Sequence, residues 1–284
     1  MGSARHSGDS MSTEFDYSGK QVVITGGATG IGAALVDLVK ELGVASITVV
    51  DRKAPAVDVD HFVEADLSVE SSVHAAVAAI SALGGPVDVL FNNAGVAATQ
   101  PPLTVMSVNY LAPRALTLGL LPLIPAGGAV VNTASMAGNG WAPNLARILE
   151  LLAISGWAES LEWLESNSDL LADVYGFSKQ CAQVLTLDMS RTSIARGVRT
   201  NSCCPGPVQT PLMSDFRQTM GDKVIDWTIT QQGVAGMAGP GDIAPVLAFL
   251  GSRASRYLNG TNLLADGGFT AGMTVGKVDF SGLS

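Results

Sequence analysis

The chain is poor in charge, in aromatic rings and in cysteine. Only 14% of its 284 residues are charged and 6% are aromatic, and it holds three cysteines and three histidines. An odd cysteine count, with Cys203 and Cys204 adjacent, argues against a disulfide framework and lacks metal-ligand spacing. Cys181, Cys203 and Cys204 are therefore expected as buried, reduced thiols, and no metal is expected. Basic residues are also scarce: 16 Lys and Arg stand against 25 Asp and Glu, a net charge of −9. Binding to phosphate backbones needs a positive surface, so no nucleic-acid partner is expected. The long uncharged run from Ala115 to Val131 is broken by Pro122, Pro125 and paired glycines. It reads as a helix, a turn and a strand, and no membrane span is expected. Residues 1–19 are small and polar, without the apolar stretch of a secretion signal. They read as a flexible leader, with Met11 as an alternative start, on a cytoplasmic protein.

What the chain does have is apolar residues, at 47%, and glycine, at 32. That mixture suits buried parallel strands joined by tight turns. Short apolar runs at Gln21–Ile24, Ile47–Asp51, His61–Glu64, Val87–Asn92, Ala129–Thr133, Val198–Cys203 and Asn262–Leu264 read as seven strands. Helical spacing fills the intervals, over Ile31–Leu42, Ser71–Leu83, Met106–Leu121, Leu171–Ala195 and Asp242–Leu250. Alternating strands and helices imply an α/β fold with one doubly wound parallel sheet, and no linker divides residues 20–284.

Between the first strand and the first helix lie Gly26, Gly30 and Gly32. Glycines at that turn let the backbone approach a pyrophosphate, whose charge then meets the helix N-terminus. No Gly-Lys-Ser/Thr follows, so a nucleoside-triphosphate loop is not indicated. Asp51 ends the second strand, where an acid can accept hydrogen bonds from an adenosine ribose and repel a 2′-phosphate. Neither Ala28 nor Thr29 adds positive charge; Arg52, beside Asp51, is the one group that favours a phosphate there. The balance points to NAD.

Tyr175 and Lys179 are four residues apart in a helical segment and so share one face. A free tyrosine has a pKa near ~10, so about one in a thousand is ionised at neutral pH. A neighbouring ammonium favours the phenolate, which would make Tyr175 a usable base.

Together these residues resemble the short-chain dehydrogenase/reductase family over about residues 20–268. Thr25-Gly26-x-x-x-Gly30-Ile31-Gly32 is similar to its cofactor loop, with Thr29 inside it. Asp66-Leu67 resembles its adenine contact, and Asn92-Asn93-Ala94-Gly95 its motif beside the cofactor ribose. Pro205-Gly206-Pro207-Val208-Gln209-Thr210 resembles the segment that meets the carboxamide through Val208 and Thr210, and Asp266-Gly267-Gly268 a C-terminal signature. The resemblance implies four catalytic residues. Tyr175 would be the acid/base, Lys179 its neighbour that also holds the nicotinamide ribose, Ser135 the group orienting the substrate oxygen, and Asn109 the holder of a proton-relay water. None of these roles falls to a histidine: His6 lies in the leader, and His61 and His74 are remote in sequence from the motifs.

Two departures from the family pattern are informative. Gly95 to Asn109 is short, at 14 positions, whereas Ser135 to Tyr175 is long, at 40. The extra piece, residues 139–170, carries Trp141, Trp157 and Trp163. Leu145, Ile148, Leu149 and Leu152 fall at helical spacing and read as its apolar stripe. Such a hood could touch a bulky apolar substrate, pack on the body, or cover a surface that relatives use for assembly. The same arrangement is similar to that of bacterial 3α-hydroxysteroid dehydrogenase/carbonyl reductases and coniferyl-alcohol dehydrogenases. Residues 211–240 read as a substrate lid. The expected activity is hydride transfer between NAD and an apolar aromatic or cyclic alcohol or carbonyl, in a homodimer formed through the C-terminal helix and last strand. A non-catalytic dinucleotide-binding redox sensor is the alternative.

Overall fold

Strand alternation explains how the sheet comes to be covered on both faces. In the first strand Val22 and Ile24 join one apolar cluster and Val23 the other, and all three are buried. Val89 and Phe91 against Leu90, and Ala129 and Val131 against Val130, repeat the pattern. Strands apolar on both sides are stable only between two layers of helix.

The computed structural model of the protein describes residues 14–283. In chain order the elements are β1 (Gln21–Thr25), α1 (Gly30–Glu41), β2 (Ser46–Asp51), β3 (His61–Glu64), α2 (Glu70–Leu83), β4 (Val89–Asn92), α3 (Pro102–Met106), α4 (Ala112–Leu120) and β5 (Ala129–Thr133). They continue with α5 (Leu145–Ala153), α6 (Trp157–Ser166), α7 (Val174–Ser193), β6 (Arg199–Pro205), α8 (Met213–Met220), α9 (Asp222–Thr230), α10 (Pro240–Gly251), β7 (Asn262–Ala265) and α11 (Phe269–Thr274). The strands form one seven-stranded sheet in the order β3-β2-β1-β4-β5-β6-β7, with every pair parallel. The order reverses between β1 and β4, which opens a crevice at their C-terminal ends. Helices α1 and α10 cover one face with Leu35, Val36, Val39, Ile243 and Leu247. The other face carries α2, α4 and α7.

Three boundaries differ from the sequence reading. The leader expected through residue 19 ends earlier, because Tyr17 is fully buried and its hydroxyl donates to Ala248 O at 2.7 Å. Met11 and His6 lie outside the described residues. The helix expected from Leu171 starts at Val174, after a 3₁₀ segment, since Asp173 caps it by accepting from Gly176 N at 3.0 Å. The helix expected from Met106 starts at Pro102 and contains a π-helical turn, Ser107–Leu111, before α4. Pro113 accounts for that turn: it has no N–H for the carbonyl of residue 109, and its ring would strike that carbonyl in a regular helix.

The insertion is helical, as α5 and α6, but its apolar stripe is rotated. Ile148 and Leu151 are fully buried, whereas Leu149, expected inside, is 47% exposed. With Trp157 and Leu164 they join the cluster formed by α2, α4 and α7, so the insertion packs on the body. Arg114 of α4 locks it there by donating to the carbonyls of Leu152 and Ile154. These are unsatisfied acceptors at the C-terminal end of α5, where a cation is also favoured by the helix dipole. Leu151→Ala is expected to destabilise the fold by about 2–5 kcal/mol in urea unfolding. Leu149→Ala should stay within about 0.5 kcal/mol; the reverse ranking would restore the stripe read from spacing.

Candidate active site

The first half of the site is built where β1 ends. Gly26 has φ +69, and a Cβ there would lie 2.7 Å from Ala94 Cα. The loop after β1 therefore runs against the chain leaving β4. Thr25 fastens the two: its Oγ1 accepts from the backbone N–H of Asn93 and of Ala94, each at 3.0 Å. Asn93 returns the contact, donating from Nδ2 to the carbonyls of Thr25 and Gly26 and accepting from Thr133 Oγ1 at 3.1 Å. Gly30 and Gly32 then open α1. Asp51 at the end of β2 accepts from Ala28 N at 3.1 Å, which ties the glycine loop to the carboxylate beside it. Asp66 is held below the usual carboxylate range by hydrogen bonds from Ser68, with Arg52 contributing a weaker attraction.

The second half is set by α7. Tyr175 stands in its first turn and Lys179 one turn on, with Nζ 5.7 Å from the phenol ring centre. Lys179 Nζ donates to Thr133 O at 3.1 Å, so it sits at the C-terminal edge of β5. Ser135 follows that strand and stands close enough to the Tyr175 phenol to favour its ionised form. Gln183, one turn beyond Lys179, donates to Ser135 O at 2.9 Å and to Asn139 Oδ1 at 3.0 Å. Phe216 of α8 stacks edge-on against Tyr175 with ring centres 4.8 Å apart, so the segment expected as a lid reaches the phenol.

Burial governs the charges here. It pushes the Tyr175 phenol up to about 12, against a hydrogen bond from Ser135 that lowers it, and with Asp173 adding repulsion. Burial likewise brings Lys179 down to about 8. The expected lowering of Tyr175 by its lysine is thus outweighed in this state of the protein, since the same desolvation that opposes the phenolate also opposes the ammonium. The thiols of Cys181, Cys203 and Cys204 are free, buried and pushed up by the same cause.

One cavity of about 850 Å³ joins the two halves. Of the residues expected at the cofactor, Gly26, Thr29, Gly30, Ile31, Asp51, Arg52, Asp66, Leu67, Asn93, Ala94, Gly95, Pro205, Gly206, Val208 and Thr210 line it, together with Ser135, Tyr175 and Lys179. Gly32 does not line it, being buried inside α1. Asn109 stands behind Gly95, where a Cβ would meet Asn109 Oδ1 at 3.3 Å and Lys179 Nζ at 3.6 Å. Its side chain is engaged: Nδ2 donates to Val96 O and Ser178 Oγ, and Oδ1 accepts from Val96 N. Its carbonyl lacks the donor of a regular α-helix, since position 113 is proline. The spacing Asn109-x-x-x-Pro113 was the sequence signal for this, and so was Thr25 for the loop clasp. The insertion, by contrast, contributes nothing to the cavity from residues 139–170. Met136 and Ala137 before it and Leu171 and Ala172 after it are the lining residues. Of the roles open to the insertion, packing on the body is the one its buried residues display.

Comparison with known proteins gives the same frame. The family model described as short chain dehydrogenase matches residues 20–146, and the one described as Enoyl-(Acyl carrier protein) reductase matches residues 167–270. The stretch between the two matches lies within α5 and α6. Coniferyl-alcohol dehydrogenase of Pseudomonas sp. (strain HR199 / DSM 7063) is 34% identical over 256 residues, covering 89% of this chain and 97% of that one. Cis-4-hydroxycyclohexanecarboxylate dehydrogenase of Sinomonas cyclohexanicum is 30% identical over 269 residues, covering 90% and 98%. Among solved structures, the 3-alpha-hydroxysteroid dehydrogenase from Pseudomonas sp. B-0831 complexed with NADH aligns with a TM-score of 0.79 at 29% identity, over 90% of this chain and 99% of that one.

Thr25→Val removes the acceptor for two backbone N–H groups and is expected to cost about 1–3 kcal/mol in urea unfolding. Titration with NADH, followed by its fluorescence, should show weaker binding as well. Thr25→Ser keeps the oxygen and should retain both properties.

Proposed function

The chain belongs to the short-chain dehydrogenase/reductase family, and within it we propose an NAD-dependent oxidoreductase acting on an apolar aromatic or cyclic alcohol or its carbonyl. The observation that carries this reading is the convergence of Ser135, Tyr175 and Lys179 at one end of a cavity whose other end is the glycine loop. The loop fits a dinucleotide. At Gly26 a side chain would collide with Ala94, and the backbone between β1 and α1 lies bare toward the cavity. The Asp51 carboxylate faces the same space, which supports NAD over NADP. Bound there, a nicotinamide dinucleotide supplies a hydride acceptor or donor for the substrate carbon.

The chain's own residues supply the rest. Ser135 Oγ holds the substrate oxygen beside the phenol. Tyr175 accepts the hydroxyl proton when the alcohol is oxidised and returns it when a carbonyl is reduced. Lys179, protonated, stabilises the phenolate and holds the nicotinamide ribose. The carbonyl of Asn109 binds the water through which the proton leaves. Pro205, Gly206, Val208 and Thr210 border the carboxamide. The lid, with Phe216 over Tyr175, excludes water from this end.

The substrate wall supports an apolar ligand, with Met136, Leu171, Met213 and Phe216 among its residues. We read the protein as a cytoplasmic homodimer. β7 is the outer strand of the sheet, Leu264 on it is 42% exposed, and Tyr257 before it is fully exposed. On another side of the molecule, Arg114 of α4 is tied to the insertion. Light scattering reads the assembly directly.

Tyr175→Phe is expected to lower turnover of coniferyl alcohol or a 3α-hydroxysteroid by at least about 10²-fold, while calorimetry still records NAD bound in preference to NADP. Turnover retained by the variant overturns the mechanism. Tight NAD binding by the unaltered protein with no turnover of any apolar alcohol points to the redox sensor. Because the base acts deprotonated, kcat/KM for oxidation should rise with pH through the Tyr175 pKa, and carbonyl reduction should fall over the same range. Lys179→Met removes the charge that favours the phenolate, so the rising limb should move to higher pH.

A further inference from the structure

Hydride transfer makes no use of one feature of the cavity, its charge pattern at the substrate end. Two carboxylates are set into the apolar wall around Tyr175: Asp173, immediately before α7, and Asp215, in the first turn of α8. Asp173 is exposed, Asp215 is half-buried, and Asp173 is near enough to Tyr175 to oppose ionisation of the phenol. Among the described residues, two cations line the cavity, and neither pairs with these carboxylates. Lys179 is turned to Thr133 O at the floor, and Arg52 is beside Asp66 at the far end. Arg217, in the same helix as Asp215, is engaged by Asp222 and Asp226 at 2.7 and 2.8 Å.

We propose that this wall selects substrate by charge: Asp173 and Asp215 admit uncharged alcohols and exclude alcohols that carry a carboxylate. The proposal rests on the reading of Tyr175 as the base that faces the alcohol. A carboxylate placed here loses hydration against methionine and phenylalanine, has Lys179 as its nearest cation only at the floor, already turned to Thr133 O, and meets two like charges. A carboxamide of the same shape carries no charge and can donate a hydrogen bond to either aspartate. The substrate class thus narrows to neutral ring-bearing alcohols. The 30%-identical relative is, by contrast, named for an alcohol that bears a carboxylate.

The test compares cis-4-hydroxycyclohexanecarboxylate with its carboxamide, which differ in charge and little in size. With NAD supplied, kcat/KM for the amide should exceed that for the acid by at least about tenfold, equivalent to about 1.4 kcal/mol, and added salt should narrow the gap. In the Asp173→Asn/Asp215→Asn double variant the ratio should fall to within about threefold, since neutral side chains remove the repulsion. Asparagine preserves the helix cap at position 173, and a ratio taken within one variant cancels any shared change in turnover. A ratio near one in the unaltered protein, or an unchanged ratio in the double variant, overturns the proposal. Calorimetry of both compounds on NAD-saturated enzyme separates this from the underlying reading. If neither compound turns over, the activity assignment fails. Preferential binding of the amide, lost in the double variant, still upholds the charge filter, and equal binding removes it.

Discussion

The active end of this molecule depends on how closely the turn after Ser135 lies against α7. A Cβ on Gly138 would stand 2.5 Å from Lys179 O and 2.8 Å from Gln183 Nε2, so no side chain fits between the turn and the helix. Gln183 then grips Ser135 O from the same helix. Through this contact a serine and a tyrosine 40 positions apart come to the same end of one cavity. Buried amides extend the brace inward. Asn92 donates to Asn132 at 2.9 Å and Asn132 to Thr186 at 2.9 Å, linking β4, β5 and α7. Each of these polar groups is buried, so each bond is costly to lose, and that cost keeps the site in one geometry.

The insertion is best understood as support for that brace. It leaves the chain just beyond the Gly138 turn and returns at the Asp173 cap, so both its ends adjoin catalytic residues. Its apolar face is buried with α2, α4 and α7, and Arg114 closes the end of α5. The cavity wall is formed instead by residues of α8 and α9 and by those flanking the insertion, and the three tryptophans stand apart from it.

The electrostatics follow from the same burial. A phenol and an ammonium withdrawn together from water are both pushed toward their neutral forms, the phenol up to about 12 and the ammonium down to about 8. The charge on Lys179, or a cation brought close by a bound dinucleotide, would then have a large effect on Tyr175, because charge acts strongly in a poorly solvated site.

Much of this was legible in the residues alone. The parallel sheet was written in short apolar runs, because strands covered on both faces admit few polar residues. The glycine loop, Asp51, and the Tyr175–Lys179 pair were legible because each requires fixed residue types at fixed local spacing. His61–Glu64 and Ala129–Thr133 even kept their limits. Tertiary structure decided the rest. Spacing places Leu145, Ile148, Leu149 and Leu152 on one stripe, but it cannot say which edge of a broad stripe meets a neighbour; the body of the protein took Ile148 and Leu151. The three tryptophans suggested a substrate hood, yet aromatic residues report burial without saying against what. Lys179 beside Tyr175 suggested a lowered phenol pKa, whereas solvation, a property of everything packed around the pair, decides the balance. Local covalent spacing determined which chemistry this chain carries, and long-range packing determined which surfaces that chemistry faces.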